Sequence, residues 1–396
     1  MSTQTMAETT TTTTTAAANR RTHIRIGTRK SKLAMIQTHW VVNQLRQLYA
    51  TDADDGGYEF TIKSMTTTGD NVLDRPLAKI GEKALFTREL EDDLLAENID
   101  LIVHSLKDLP TTLPDGCAIA VITKRENSSD AIVLKSGLNL DNPFDILSPN
   151  CHQINENVTI GTSSLRRIAQ LKHLNPDIRV VDIRGNLNTR LSKLDDPTSG
   201  YSALILASAG LIRADYGHRI SGQLLDNWYY AVGQGALAIE TRTDDQFIMD
   251  LLKPLIHLKT TCECLAERTF MQQLEGGCSI PIGVRSVWTT GADDNDANCV
   301  LTLEGVVMSL DGRSRVDGKV SRNLNRKLDN KLPDLTTIDR SVCPFNYTGI
   351  AVGQFTEAAT AANQLANSAM IGYDLAQDLL GLGAKDILDD IKLNSN

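Results

Sequence analysis

The order in which strand-like and helix-like segments alternate constrains this chain most. Ile24-Arg25-Ile26 alternates and reads as a short strand. Ser31 can cap a helix running to about Tyr49, with Leu33, Ile36, Trp40, Val41, Leu45 and Leu48 on one face. Residues 58–65 read as a second strand, and a helix with Phe86, Leu90, Leu94 and Leu95 on its apolar side follows. Residues 100–106 form a strand that runs into a Pro-bounded loop. This alternation predicts an α/β fold with a largely parallel sheet. The pattern restarts near residue 130, with strands at 131–134, 158–160, 179–183 and 203–207 and helices such as 165–174 between them. The apolar run 203–212 reads as a buried strand and the turn after it. Residues 136–157, rich in Asn, Pro, Ser and Asp, suggest a surface insertion. After Ala231 a Gly-rich turn leads to a further strand at 236–241.

The character changes after about Pro254. A helix with Leu265, Phe270 and Leu274 ends at Gly276-Gly277, and alternating segments then flank Asp311-Gly312, a hairpin signal. Two helical stretches, around 355–368 and 373–391, close the sequence. Strands followed by helices predict a smaller α+β third domain. Residues 320–347 are polar and read as a loop-rich insertion. A length of 396 residues accommodates two or three domains.

Charge and cysteine exclude several functions. Forty Lys and Arg against 49 Asp and Glu leave a net −9, which disfavours general binding to nucleic acid or anionic membranes. Seven cysteines spread thinly over the chain do not form a disulfide framework and point to a reducing compartment. Cys262-x-Cys264 lacks a second pair or a nearby His at zinc spacing, so no metal is expected. No apolar run reaches the ~18 residues of a membrane span. Residues 1–22 are Thr-rich, without an apolar core, and are expected to be a disordered tail rather than a secretory signal. A cytoplasmic protein is expected, with an organellar address carried by that tail as the alternative.

Within this acidic chain, residues 161–193 hold seven basic residues (Arg166, Arg167, Lys172, Arg179, Arg184, Arg190 and Lys193) against Asp177 and Asp182, a local balance of +5. A solvated basic helix face would explain many such runs, but placement argues otherwise. Thr162-Ser163-Ser164 follows an apolar strand and precedes a helix bearing Arg166 and Arg167, where free N–H groups and the helix dipole favour anions. Arg184-Gly185-Asn186 follows the next strand in the same way. In open α/β sheets ligands bind beyond the carboxyl ends of strands, so the two clusters should converge. Arginine forks suit carboxylates. Two further stretches stand out. Lys107 and Asp108 sit where a strand meets a loop, a location that suits catalytic groups, although spacing alone favours an ordinary exposed Lys–Asp pair. Leu274-Glu275-Gly276-Gly277-Cys278-Ser279-Ile280-Pro281 places a cysteine after two glycines. An accessible backbone there could make it reactive, but taken alone the stretch favours a buried structural thiol.

Taken together, these stretches resemble the hydroxymethylbilane synthase (porphobilinogen deaminase) family, in eukaryotic-type wording. The motifs that carry the resemblance are Ile26-Gly27-Thr28-Arg29-Lys30-Ser31, residues 76–83, residues 104–110, residues 161–167, residues 184–190, Ala231-Val232-Gly233-Gln234-Gly235-Ala236 and residues 274–281. They occur in the family's order from about Ile24 onward, more weakly across 136–157 and 288–347. The resemblance implies a transferase that condenses four porphobilinogen molecules head to tail, releasing ammonia, into hydroxymethylbilane. It implies a covalent dipyrromethane cofactor on a thioether to Cys278.

It further implies Asp108 as the catalytic carboxylate. Lys107, Asp108, Asp70, Thr162, Ser163, Ser164, Arg166, Arg167 and Arg184 should lie toward the cofactor. Arg29, Ser31, Arg184, Arg190, Arg213 and Gln234 should lie toward the substrate, with Lys79 and Lys83 on a lid. The family's Lys-Arg pair before the second hinge reads Ile212-Arg213 here, so only the arginine carries over. The implied fold is two periplasmic-binding-protein-like domains, 23–125 with 229–250 and 126–228, plus a third domain, 251–396, bearing the cofactor loop. Hinge crossings are expected near 123–128 and 227–231. The implied partners are porphobilinogen and the growing pyrrole chain, handled by a monomer, with no nucleic acid, membrane or metal involved. Two other readings remain at this point. One is a non-enzymatic solute clamp of the same fold. The other is a nucleotide or phosphate enzyme, for which no GxxxxGK[ST] loop is present.

Overall fold

A computed structural model of the chain describes residues 21–50, 57–67, 87–148, 158–274, 280–289, 299–326, 346–347, 350–351 and 359–395. Residues 1–20 of the tail, Asp70, Lys79, Lys83, Phe86, Cys278 and the greater part of the 320–347 insertion lie outside these; Arg21, expected to belong to the disordered tail, is instead held by Asp100 and by Asp245 at 2.8 Å.

Fifteen strands are described: β1 (His23–Arg29), β2 (Glu59–Met65), β3 (Leu101–Ser105), β4 (Cys117–Ile122), β5 (Asp130–Leu134), β6 (Thr159–Gly161), β7 (Arg179–Val181), β8 (Ala203–Ala207), β9 (Gly222–Leu224), β10 (Leu237–Arg242), β11 (Ile282–Thr289), β12 (Val300–Met308), β13 (Arg315–Asn323), β14 (Asn346–Tyr347) and β15 (Ile350–Ala351). They form three sheets, ordered β14-β15-β4-β10-β3-β1-β2, β7-β6-β8-β5-β9 and β11-β12-β13. The first two share one plan. A parallel trio (β2-β1-β3, β7-β6-β8) is followed by one antiparallel strand that arrives across a hinge, β10 in the first sheet and β5 in the second. This is a mixed α/β arrangement built twice on one plan, as expected for the first two domains, with a smaller α+β unit after it. β3 is buried through His104 and β4 throughout, as central strands covered on both faces should be.

The helices are α1 (Lys32–Leu48), α2 (Arg88–Leu95), α3 (Leu165–Leu174), α4 (Leu187–Asp195), α5 (Ser208–Arg213), α6 (Gln246–Leu252), α7 (Leu258–Gln273), α8 (Ala359–Leu379) and α9 (Lys385–Ser395). Their positions revise several expectations. The buried face of α1 is Gln37, Thr38, Val41, Val42 and Leu45, whereas Trp40 and Leu48 are exposed. Polar side chains turn inward because they find partners there: Thr38 donates to Thr28 Oγ1 at 2.8 Å, and Gln37 donates to Ser105 at 2.8 Å. Leu95 of α2 is likewise exposed. The run after β8 is the helix α5 rather than a turn. The described part of 136–157 is not all surface, since Ile146 and Leu147 are buried in the core of the second sheet.

Near the C-terminus, α8 runs straight through the expected break at 369–372. A Cβ on Gly372 would collide with the Ala266 carbonyl, so this glycine permits close packing of α7 on α8. The break falls instead at Gly383, whose φ of 99° only glycine adopts readily. Asp311-Gly312 does turn a hairpin, between β12 and β13. Strands β14 and β15 join the edge of the first sheet, with Ile350 beside Ile119. The region expected to be only a loop thus contributes to another domain's sheet.

Candidate functional site: an arginine-lined cleft

Local packing fixes Asp108. At the end of β3, Leu106–Asp108 makes one 3-10 turn, with Leu109 N–H bonded to Leu106 O at 3.1 Å. Leu106 and Leu109 are buried in a core that includes Phe270 of α7 and Val284 of β11. Arg268 of α7 donates to the carbonyls of Leu109 (3.1 Å) and Pro110 (2.6 Å). Gly233, at φ +71°, lets the chain pass against Leu106, where a Cβ would sit 2.8 Å from Leu106 Cγ. The two anchored leucines leave Lys107 half-buried and Asp108 exposed.

The second wall is built on β6 and β7. Thr162 is buried, and its N–H is bonded to Val181 O at 3.1 Å. Ser164 N–H donates to Thr162 Oγ1 at 3.3 Å, and the Ser163 hydroxyl donates to Ile183 O at 2.6 Å. Two of the backbone N–H groups expected to be free are therefore used within the turn. Anion affinity must come from the arginines on α3.

Arg166 and Arg167 are both buried, and both converge on a residue that sequence patterning did not single out, Asp130 of β5. Its Oδ2 accepts from Arg166 Nη1 and from Trp228 Nε1, each at 2.8 Å. Its Oδ1 accepts from Arg167 Nη2 at 2.7 Å and from Gln234 Nε2 at 3.0 Å. Burial would raise the Asp130 pKa, but the two guanidiniums outweigh it and hold the carboxyl far below its usual range. The remaining forks reach backbone: Arg166 Nη1 also meets Tyr229 O, and Arg167 Nη1 meets Ile205 O at 2.8 Å. A signal for Asp130 was present in the sequence. An acid opening an apolar strand must be buried beside a cation.

Arg190 bonds the Gly185 carbonyl at 2.8 Å, and Arg184 pairs with Asp182 at 2.7 Å. Arg213 donates to Gly235 O at 2.8 Å, next to Gln234. Ser31 caps α1, accepting from Ala34 N–H at 3.4 Å, and Arg29 ends β1 half-buried. This end of α1 faces α5, since Lys32 Nζ lies 5.9 Å from the Tyr216 ring and Leu33 lies against Gly210. The structure thus groups Lys107, Arg166 and Arg167 around Asp130, and Arg184 and Arg190 around Asp182. Arg213 and Gln234 stand at the hinge, with Arg29 and Ser31 at the mouth of α1.

The electrostatics favour an anionic ligand. Burial is the largest influence on Lys107, Arg166, Arg190 and Arg213, and it lowers the pKa of each. Arg167 and Arg166 press Lys107 further down, while Asp108 and Asp130 support it. Arg167 Nε is buried with no hydrogen-bond partner among the described residues. A buried donor lacking an acceptor, among cations that outnumber the carboxylates beside them, fits a multiply carboxylated group such as a dipyrromethane.

Fold and site together define a chain with two α/β sheets of one plan and a cation-rich cleft suited to anionic groups. Comparison with known proteins makes this particular. Residues 24–250 match the family model described as porphobilinogen deaminase, dipyromethane cofactor binding domain, and residues 261–332 match that of the porphobilinogen deaminase C-terminal domain. A porphobilinogen deaminase of Synechococcus elongatus is 48% identical over 300 residues, covering 75% of this chain and 86% of the relative. One of Dictyostelium discoideum is 44% identical over 304 residues, covering 76% and 88%. One of Kluyveromyces lactis is 39% identical over 375 residues, covering 94% and 97%. The chain belongs to the porphobilinogen deaminase family.

Proposed function

We propose that this cleft condenses four porphobilinogen molecules head to tail into hydroxymethylbilane with loss of ammonia, a transferase reaction of tetrapyrrole and haem biosynthesis. The observation that carries the reading is an excess of cations among the described residues: Lys107, Arg166, Arg167, Arg184 and Arg190 outnumber the described carboxylates beside them, Asp108, Asp130 and Asp182. Each porphobilinogen carries an acetate and a propionate. A growing chain therefore brings many carboxylates into a site that has too few, and their mutual repulsion is offset.

Attached by a thioether to Cys278, a dipyrromethane supplies the free pyrrole position from which the chain starts. Lys107, Asp70, Thr162, Ser163, Ser164, Arg166, Arg167 and Arg184 are assigned to hold it, and Arg29, Ser31, Arg184, Arg190, Arg213 and Gln234 to hold the incoming substrate. Asp108 is assigned the chemistry. When the aminomethyl C–N bond of porphobilinogen breaks, its electron pair leaves with ammonia, and positive charge spreads onto the pyrrole nitrogen. An exposed carboxylate on a turn anchored at both ends is a fixed counter-charge for that step. The new C–C bond then forms and the attacked pyrrole carbon loses its proton, for which Asp108 is the base.

The division into domains 23–125 with 229–250, 126–228 and 251–396 is supported by the three sheets, apart from β14 and β15, which lie in the third stretch of sequence but join the first sheet. No described helix is long and apolar enough to cross a membrane, and no described group of side chains is suited to hold a metal. We infer a monomer acting on porphobilinogen and the growing pyrrole chain, because the arginine cleft is assembled within one chain; the thinly spread cysteines favour a cytoplasmic location, with an organellar one through the N-terminal tail as the alternative. Intact-protein mass spectrometry tests the function. The purified protein should weigh more than its sequence by one dipyrromethane and gain discrete pyrrole increments during turnover. A bare mass in fully active protein would overturn it.

A further inference from the structure

Asp130 cannot touch a ligand. It is fully buried, and its two oxygens accept four hydrogen bonds, from Arg166, Arg167, Trp228 and Gln234. A carboxylate offers about four acceptor sites, so none is left over. Its location is equally specific. It stands where the first interdomain crossing enters β5, while Trp228 and Gln234 belong to the second crossing. Gln234 also donates to the carbonyls of Ser128 (2.7 Å) and Ser129 (3.3 Å), which binds the two crossings together at this point. Arg166 and Gln170 of α3 both donate to Tyr229 O, and Gln170 accepts from Tyr229 N–H at 2.8 Å. The arginine helix is therefore tied to the same crossing.

We propose that Asp130 is a positioning residue for chain elongation. It holds the Arg166 and Arg167 forks apart in fixed orientation and cancels one of their two charges, so that pyrrole carboxylates are gripped yet can still be exchanged along the cleft. The inference rests on the assignment of Arg166 and Arg167 to carboxylate binding. It deepens that assignment by naming what limits their grip. Two buried guanidiniums without Asp130 would present +2 to the chain. Each advance of the chain would then have to break stronger charge-assisted bonds. With Asp130 the pair presents +1, and Arg166 Nη1 and both terminal nitrogens of Arg167 are already occupied.

Asp130→Asn tests the proposal, because it keeps the shape but removes the charge and sets an NH2 donor against a guanidinium. The measurements are steady-state kinetics with porphobilinogen, mass spectra of enzyme-bound chains during turnover, and the thermal midpoint of the holoenzyme. We expect kcat to fall at least tenfold with KM unchanged or lower, and partly elongated chains to persist on the enzyme. Asp130→Glu, which retains the charge, should recover part of kcat. A merely structural role would lower the thermal midpoint and the active fraction, while surviving molecules kept the parental kcat, KM and chain distribution. That outcome overturns the proposal. Should Asp130→Asn fail to fold, Asp130→Glu is compared with the parent instead: it keeps the charge but displaces both forks, so partly elongated chains should persist longer than in the parent. An unchanged distribution there also overturns it. Arg167→Gln separates the two levels. If that variant elongates normally, the carboxylate-binding assignment fails. If it stalls while Asp130→Asn behaves as parent, only the role of Asp130 fails.

Discussion

The Arg125 guanidinium meets the Glu267 carboxylate fork to fork, Nη1 to Oε1 at 2.7 Å and Nη2 to Oε2 at 3.0 Å. Arg125 lies between β4 and β5, where the chain passes from the first sheet to the second, and Glu267 lies on α7, so this pair fastens that connection to α7. The fastening is shared. Glu267 also accepts from Gly233 N–H at 2.8 Å, Ser286 Oγ at 2.8 Å and Tyr230 OH at 3.2 Å. Arg125 Nε reaches Gln234 O at 2.8 Å. Both crossings and β11 thus meet on one fully buried carboxylate.

Removing one partner of such a pair leaves an uncompensated buried charge. Arg125→Ala or Glu267→Ala should therefore cost about 3–5 kcal/mol of stability. Urea unfolding of the holoenzyme, followed by far-UV circular dichroism, would show it. A loss below about 1 kcal/mol would mean that the hinge is held by its apolar contacts alone.

Asp108 is the opposite case, an exposed carboxylate whose surroundings do not need it for folding. Asp108→Ala should leave the thermal midpoint within about 1 °C, since surface substitutions away from special features change stability little. Turnover should fall by about 10²–10⁴-fold, the range associated with losing a positioned acid–base group. Ammonia release from porphobilinogen measures this directly. Near-parental release would remove Asp108 from the chemistry.

The contrast between these residues shows what the sequence displays and what it hides. Strand and helix periods, and the turns that follow parallel strands, are local properties. The arginine segment and Lys107-Asp108 can therefore be placed at strand ends from the residue pattern alone. Partnership is not local. Asp130 is separated from Arg166 by 36 positions, and Glu267 from Arg125 by 142. No spacing rule connects residues that meet only when two crossings close. The inward turn of Gln37 and Thr38 on α1 is hidden for the same reason, since their partners Ser105 and Thr28 sit on neighbouring strands. Gly372 misleads because a glycine in a helical run signals a break as readily as a close crossing, and only the carbonyl of Ala266 decides between them.

The two arginine groups should fail differently. Arg167 is buried against Asp130, whereas Arg184 is paired with an exposed Asp182 at the surface of the cleft. Arg167→Gln should impair cofactor assembly, visible as a fraction of protein with the bare mass, and should stall elongation in the molecules that do carry the cofactor. Arg184→Gln should assemble the cofactor but lengthen the life of partly elongated chains, with the thermal midpoint changed by less than about 2 °C. If both variants elongated normally and Arg184→Gln were clearly destabilised, the basic segment would be a structural surface rather than a binding one.

Behind β3 lies a buried acidic cluster with its own pH signature. Glu91 of α2 faces Glu240 of β10, which lies 2.9 Å from His104 Nε2; Cys117, Thr87, Asp92 and Arg242 complete the surroundings. Burial first, and then the Glu240 charge, push the Glu91 carboxyl up from 4.5 to about 7. Between those pH values the folded chain keeps a proton that the unfolded chain has released. The contribution of Glu91 to stability is therefore intact below about pH 4.5, declines as the pH rises, and reaches its least favourable value above about 7. Glu91→Gln supplies a permanently neutral side chain of the same shape. It should match the parent near pH 5 and exceed it at pH 8 by about 1–3 kcal/mol, or roughly 2–8 °C in thermal midpoint for a protein of this size. Melting curves of parent and variant across pH 5–8 make the comparison. Parallel curves would show that Glu91 titrates as an ordinary carboxylate and that the cluster is solvated.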